Sequence, residues 1–334
     1  MSNLKEVEKS VHEIIASLNE LKQEIKKVIV GQEEVVDQLL ITFLAGGHAL
    51  LEGVPGLAKT LMIRSLSEAI DLRFRRIQFT PDLMPSDIIG TEILEEDHTT
   101  GKRVFKFNKG PLFANIILAD EINRTSPKTQ SALLEAMQEF AVTYAGTTYP
   151  LERPFFILAT QNPIEQSGTF PLPEAQLDRF LLYIKVDYPT QEEERSILEN
   201  TTGKKSEPIK NVIAGHKILE AQRLVREVHI NPELIDWVNR IVRGTRSGQN
   251  ENSYVDEWVR WGAGPRAGQA MILTAKARAL LQGNFSVTQD DIRHVAYPVL
   301  RHRILMNFKA EAERVNPDDV TKYLLQNITM SKSL

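Results

Sequence analysis

The stretch Ala49-Leu-Leu-Glu-Gly-Val-Pro-Gly-Leu-Ala-Lys-Thr60 carries residues suited to holding a polyphosphate. An apolar, strand-like segment runs through Gly53, Val54, Pro55, Gly56, Leu57 and Ala58 into Lys59, Thr60 and a helical pattern. Glycines let successive backbone N–H groups turn inward around an anion without a Cβ in the way. The helix that follows points its positive end at the same place. A lysine at position 59 can reach the β and γ phosphates, and the Thr60 hydroxyl can ligate Mg²⁺. The strict pattern has glycine before the lysine. Here that residue is Ala58, whose methyl group is tolerated if the residue adopts helical φ.

A second stretch, Ile116-Ile-Leu-Ala-Asp-Glu121, is an apolar strand that ends in two acids. In open α/β sheets the carboxyl ends of the strands line the ligand crevice. Asp120 is therefore placed to hold Mg²⁺, through a water, and Glu121 to orient or deprotonate an attacking water. Acids often follow strands as solvated ends or helix caps. The pairing gains meaning because it lies downstream of the glycine-rich loop in one alternating unit.

The elements that must position these groups can be read from periodicity. Val7, Val11, Ile14, Ile15, Leu18, Leu21, Ile25 and Ile29 fall mostly three and four apart, a helical stripe that reads as core packing. Apolar runs at 49–52, 74–79, 115–119, 155–160 and 181–186 read as strands, with helical patterns between them at 59–70 and 128–140. Strands alternating with helices predict a parallel sheet with helices on both faces. Residues 93–109, around Thr99, Thr100 and Gly101, and 141–154, around Ala145 and Gly146, read as β-hairpin insertions. After Pro189 the strand signals stop, and helical patterns follow at 192–200, 221–227, 232–244, 268–281 and 288–302, with loops at 200–210 and 244–253. The expected organisation is an amphipathic N-terminal helix at 1–29, an α/β nucleotide-binding domain at 30–189 and an all-helical domain at 190–334.

Bulk properties narrow the class further. The 334 residues carry 40 Lys+Arg against 44 Asp+Glu, a net charge of −4, which argues against a general nucleic-acid or acidic-membrane binder. No cysteine is present, so disulfides and zinc-thiolate sites are excluded. The apolar segment at 39–51 is interrupted by Gly46, Gly47 and His48 and is too short to span a bilayer, and the N-terminus lacks a signal-peptide core. A cytoplasmic protein is expected. His48 reads as a packed core histidine, and His302, between Arg301 and Arg303, as part of a solvated basic face. Phe105 and Phe107, two apart beside Lys102, Arg103 and Lys106, read as one packed strand face rather than a base-stacking platform.

Four further segments, in order, resemble the AAA+ superfamily. Val30-Gly31-Gln32 lies where such proteins hold adenine against backbone. Asn162, in Leu158-Ala-Thr-Gln-Asn-Pro163, matches the polar sensor that positions water. Arg179, in Leu177-Asp-Arg-Phe180, resembles the arginine finger, and Arg266, in Gly264-Pro-Arg-Ala267, the second sensor on the lid. Phe79-Thr-Pro-Asp-Leu-Met-Pro-Ser-Asp87, Gly110-Pro-Leu-Phe113, Asp120-Glu-Ile-Asn-Arg124 and Pro171-Leu-Pro-Glu-Ala-Gln-Leu-Asp-Arg-Phe180 are similar to MoxR-type ATPases. The resemblance implies a Walker A and Walker B site for ATP and Mg²⁺, a hexameric ring, chaperone-like remodelling of a protein client, and partners bearing von Willebrand factor A domains. By itself an arginine offers a planar, permanently charged fork for phosphate oxygens. Arg179 is then expected to reach a neighbour's nucleotide and Arg266 that of its own subunit. Arg124 reads as a structural arginine. The competing functions are a nucleic-acid-stimulated motor, a nucleotide-gated scaffold without turnover, and a subunit of the magnesium-chelatase type.

Overall fold

The computed structural model describes residues 2–54, 56–96, 103–163, 168–202, 208–248 and 253–330. Pro55, Thr99, Thr100, Gly101, Lys102 and Gly203 lie outside the described residues. The chain begins with helices α1 (Ser2–Lys26) and α2 (Glu33–Leu44). It continues through β1 (Ala49–Gly53), α3 (Lys59–Ile70), β2 (Phe74–Gln78), α4 (Pro85–Ile89), β3 (Gly90–Glu96), β4 (Arg103–Lys109), β5 (Ile116–Asp120), α5 (Pro127–Glu139), β6 (Ala141–Tyr144), β7 (Thr147–Pro150), β8 (Phe156–Gln161), α6 (Glu174–Leu177) and β9 (Leu182–Val186). Then follow α7 (Gln191–Thr202), α8 (Gly215–Glu227), α9 (Pro232–Gly244), α10 (Ser253–Trp258), β10 (Val259–Trp261), α11 (Pro265–Leu281), α12 (Gln289–Leu300), β11 (Leu305–Met306), α13 (Phe308–Glu313) and α14 (Pro317–Asn327).

Five strands form one parallel sheet in the order β2-β5-β8-β1-β9. Its central strands are apolar on both faces, as burial under two helix layers requires. Alternation along each strand divides the core. Ile116, Leu118, Phe156, Leu158, Ala49 and Leu51 face one cluster, while Ile117, Ala119, Ile157, Ala159 and Leu50 face the other. The first cluster holds the α1 stripe (Ile14, Leu18, Leu21, Ile25), α2 and α3, and continues without interruption through Trp237, Met271, Val295 and Leu324 of the C-terminal helices. The second lies under α4, α5 and the hairpins.

Both hairpins form: β3 pairs antiparallel with β4, and β6 with β7. The β6–β7 turn places Ala145 at φ 47° and Gly146 at φ 81°, the two left-handed residues that a twist-matched two-residue turn requires. Phe107 stacks on Tyr149 at 4.4 Å between ring centroids, tying the first hairpin to the second. Phe105, on the same face of β4, stays 72% exposed, so only half of the expected packed pair is packed. The C-terminal region is mainly helical but not wholly so. Val259–Trp261 and Leu305–Met306 form a two-stranded antiparallel ladder that short, non-alternating segments did not signal.

The triplet Arg301-His302-Arg303 is not a solvated face. His302 and Arg303 are buried where the C-terminal helices meet the start of β9. His302 Nε2 bonds the Phe180 carbonyl at 3.1 Å, and Arg303 donates to the carbonyls of Phe180, Leu181 and Val299 and to Asp178 Oδ1 at 2.7 Å. Arg301 grips Asp318 with two nitrogens and donates to the Tyr183 carbonyl at 2.8 Å. These side chains staple the helical region onto the sheet.

Candidate functional site

The Gly53–Thr60 loop leaves the carboxyl end of β1 and enters α3 at Lys59. A Cβ added at Gly56, which sits at φ +89°, would meet nothing within 4 Å, so the space around that residue is open. Lys59 folds back, its Nζ on the Gly53 carbonyl. Burial pulls its amine below the usual lysine range, and Asp120, Glu121 and Glu52 pull the other way. Ala58 departs from expectation. It adopts φ 54°, ψ 20°, the left-handed region, so its methyl is a strained substitute for glycine rather than an ordinary helical residue.

The two acids stand at the carboxyl end of β5, in register with β2 and β8. Asp120 Oδ1 accepts the Thr160 hydroxyl at 2.6 Å, and Thr160 in turn accepts the Glu121 N–H at 2.9 Å. This pins the turn after β5, where Glu121 itself has φ 57°. Asp120 Oδ2 receives Arg76 Nε at 3.1 Å and Nη2 at 2.6 Å. Glu121 Oε2 receives Gln78 Nε2 at 2.8 Å and Arg124 Nη1 at 3.0 Å. Arg124 is thus an ion-pair partner of the second acid. Asn162, buried, follows β8 on the same edge. Arg76, Gln78 and Thr160 were missed by motif reading. The signal for the first two was present: they alternate on one face of β2, and β2 neighbours the strand that ends in the acids.

A hard divalent cation fits this donor set. The Thr60 hydroxyl and the Asp120 carboxylate would supply oxygen ligands to a bound ion, and Mg²⁺ takes one or two such groups beside substrate phosphates. No cluster of three or more His, Cys, Asp or Glu able to hold a metal exists among the described residues, so a dedicated protein cage is absent there.

Beside the loop, a cavity of about 240 Å³ is lined by Glu52, Gly53, Val54 and Pro163 together with Lys185 and Tyr188. The last two also line an adjoining cavity of about 450 Å³ that includes Gln32, Val35, Glu193 and Arg301. The Gln32 N–H is bonded to Glu193 Oε1 at 3.3 Å, and a Cβ at Gly31 would meet the same carboxylate at 2.5 Å. Val30 and Gly31 therefore adjoin the cavity through Gln32, packed on α7. Tyr183 donates to Glu52, one residue before the loop, and burial first, then the Glu52 charge, push its phenol above the usual range.

The expected arginines are elsewhere. Leu181 N–H bonds the His48 carbonyl at the amino end of β1, whereas Gly53 pairs with Val186 at the carboxyl end. Five residues of strand separate the two ends, about 15 Å. Arg179 donates to the Leu134 carbonyl at 3.1 Å, and Arg266 lies 3.5 Å from Asp178. Both line a cavity of about 330 Å³ with Asp178, Arg303, Met137 and Gln138. Arg266 is therefore grouped with Arg179 at the amino end of the sheet, away from the phosphate loop of the same subunit, where Arg303 and Asp178 seat the helical region.

Residues 48–182 match the ATPase family associated with various cellular activities (AAA), and residues 251–323 match the AAA lid domain. The chain is 43% identical over 311 residues to a protein named Chaperone MoxR1 from Mycobacterium tuberculosis, covering 92% of this chain and 80% of that one. It is 41% identical to the uncharacterised protein YeaC of Bacillus subtilis, over 93% and 94% of the two chains. It is 28% identical to Protein MoxR of Paracoccus denitrificans, over 90% and 91%. A crystal structure of a candidate ATPase from Cytophaga hutchinsonii superposes with a TM-score of 0.91 at 41% identity, covering 99% of this chain and 100% of that one.

Proposed function

The chain belongs to the MoxR family of AAA+ ATPases, and from that premise we propose that it hydrolyses Mg²⁺-ATP in a homo-oligomeric, hexameric ring and uses the cycle to remodel a protein partner. The division of labour proposed is an α/β domain at 30–189, preceded by the helix at 1–29 that packs on it, and a lid at 190–334.

The observation that carries this reading is the separation of two half-sites. Lys59, Thr60, Asp120, Glu121 and Asn162 belong to the carboxyl edge of the sheet, and Arg179 and Arg266 to its amino end. Gly53, Val54, Pro55, Gly56, Leu57 and Ala58 would surround the β phosphate, Lys59 would neutralise the β and γ oxygens, and the cavities beside Gln32 would take the nucleoside. Thr60 and Asp120 would hold Mg²⁺, which supplies charge neutralisation at the phosphate oxygens when bound. Glu121 would take a proton from the attacking water while Asn162 fixes that water's position. Arginine contacts to the transferring group, worth about 10³–10⁵ in rate, would have to come from the next subunit, with both Arg179 and Arg266 acting across the interface. The client would be a protein, with von Willebrand factor A domains as the partner class that the family points to.

Steady-state hydrolysis across protein concentrations tests the scheme. Specific activity is expected to rise with concentration. Lys59→Ala, Glu121→Gln and Arg179→Ala should each lose at least a hundredfold, and mixing Glu121→Gln with Arg179→Ala should restore part of the activity. Turnover independent of concentration, with no recovery in the mixture, would assign the whole reaction to one subunit and reject the shared site.

A further inference from the structure

We propose that Arg76 is the resting counter-charge of Asp120, and that it must let go before Asp120 can serve a divalent cation. The proposal rests on the reading of Asp120 as a metal-binding residue. It concerns a residue outside the phosphate loop and outside the acid pair.

Arg76 places two nitrogens on one oxygen of Asp120, at 3.1 and 2.6 Å, while the other oxygen is held by Thr160 at 2.6 Å. The same Arg76 Nη2 donates to Gln78 Oε1 at 2.7 Å, and Gln78 Nε2 donates to Glu121 Oε2 at 2.8 Å. A continuous chain of bonds therefore runs from Asp120 through Arg76 and Gln78 to Glu121. Its geometry follows from the strands: Arg76 and Gln78 share one face of β2, and Gln78 lies opposite Asp120 in register. The planar fork serves Asp120 and Gln78 from one fixed geometry, whereas a lysine there would keep the charge without the paired bonds to Asp120.

A guanidinium and a divalent cation repel, so Arg76 bonded to Asp120 Oδ2 opposes a cation held beside that carboxylate, whether directly or through a water. The Arg76 side chain is 49% exposed, so it can be released into water at little cost, as exposed ion pairs generally allow. Once released, Gln78 loses the donor that fixes its amide oxygen and is free to turn. Glu121 then loses the Gln78 hydrogen bond and keeps Arg124. The general base is thus loosened when the neighbouring carboxylate is taken up elsewhere. Before that moment the two acids are tied to β2, and their mutual repulsion is offset by two arginines.

The test is the Mg²⁺ dependence of binding of a fluorescent ATP analogue to the full chain, with thermal melts as a folding control. Arg76→Met should lower the Mg²⁺ midpoint about fivefold or more, the shift expected from removing one partly screened charge. Arg76→Lys, which keeps the charge, should stay within about twofold of wild type. If Arg76→Met does not fold, Arg76→Gln carries the same expectation. An unchanged or raised midpoint in a folded Arg76→Met chain overturns the proposal. A double-mutant cycle with Gln78→Leu should show coupling of about threefold or more in the midpoint, and strict additivity would sever Glu121 from the chain of bonds. Wild-type binding indifferent to Mg²⁺ would instead remove the metal reading of Asp120, and this proposal with it.

Discussion

Ala58 holds a left-handed conformation at the last residue before Lys59. That conformation costs a non-glycine residue about 1–2 kcal/mol, while glycine in its place adds about 0.4–1 kcal/mol of unfolded-chain entropy to be lost on folding. Ala58→Gly should therefore stabilise by about 0–1.6 kcal/mol in urea titration, and a clear destabilisation would show that the methyl packs favourably. His48 makes a sharper case. Its Nδ1 accepts the Ile157 N–H at 3.1 Å, so Nε2 carries the proton it gives to the Met137 carbonyl at 3.1 Å. Complete burial pushes this imidazole down to about 4. The unfolded chain takes up a proton near pH 6.5 that the folded chain refuses, so stability is full above that pH and is lost as pH falls toward 4. The loss should approach ~3 kcal/mol, and His302, also buried and held well below its usual range, steepens the same slope. Denaturant melts between pH 7 and 4 read this directly. In His48→Gln the His48 share of the slope should vanish.

At the level of elements, the first hairpin depends on a backbone crossing at its base. Gly90 ends α4 at φ +110°, and a Cβ there would lie 2.2 Å from the Asn108 carbonyl oxygen and 2.6 Å from the Gly110 nitrogen. Backbone atoms cannot yield as side chains do, so Gly90→Ala should cost about 1–3 kcal/mol and raise hydrogen exchange first in β3 and β4. The hairpins and the five sheet strands were legible because turn residues and apolar runs are local signals, and 59–70 and 232–244 match the observed helices to the residue. The turn between β1 and α3 and the acid-bearing end of β5 were legible as places in the fold for the same reason. Arg76 and Thr160 were not, since their importance comes from strand order, which places β5 between β2 and β8. The β10–β11 ladder was not legible because its two strands are too short to alternate and pair Val259 with Met306 and Trp261 with Leu305, far apart in the chain. Arg266 was grouped by motif with the nucleotide of its own subunit. Tertiary seating, which motif order does not encode, sets it beside Arg179 in this structure.

For the molecule as a whole, the decisive contact is the buried staple at Arg303. Its guanidinium reaches Asp178 and several carbonyls at the start of β9, and removing one partner of a buried charged pair typically costs about 3–5 kcal/mol. Arg303→Met, which fills similar volume, should lower stability by about 3 kcal/mol and release Arg266 and Asp178 from their present positions. The melt should remain a single transition, because one apolar cluster runs from Ile14 of α1 to Leu325 of α14. Two separated melting steps would show that sheet and helical region are independent bodies. A cluster that joins opposite ends of the chain also has a consequence during synthesis. When β9 is complete, the partners of α1 and α2 on α8 and α11 have yet to be made, and translation at about 5–20 residues per second leaves α11 incomplete for roughly 5–20 s. For that interval the apolar faces of α1 and α2 that α8 and α11 later cover stay open to water on the nascent chain.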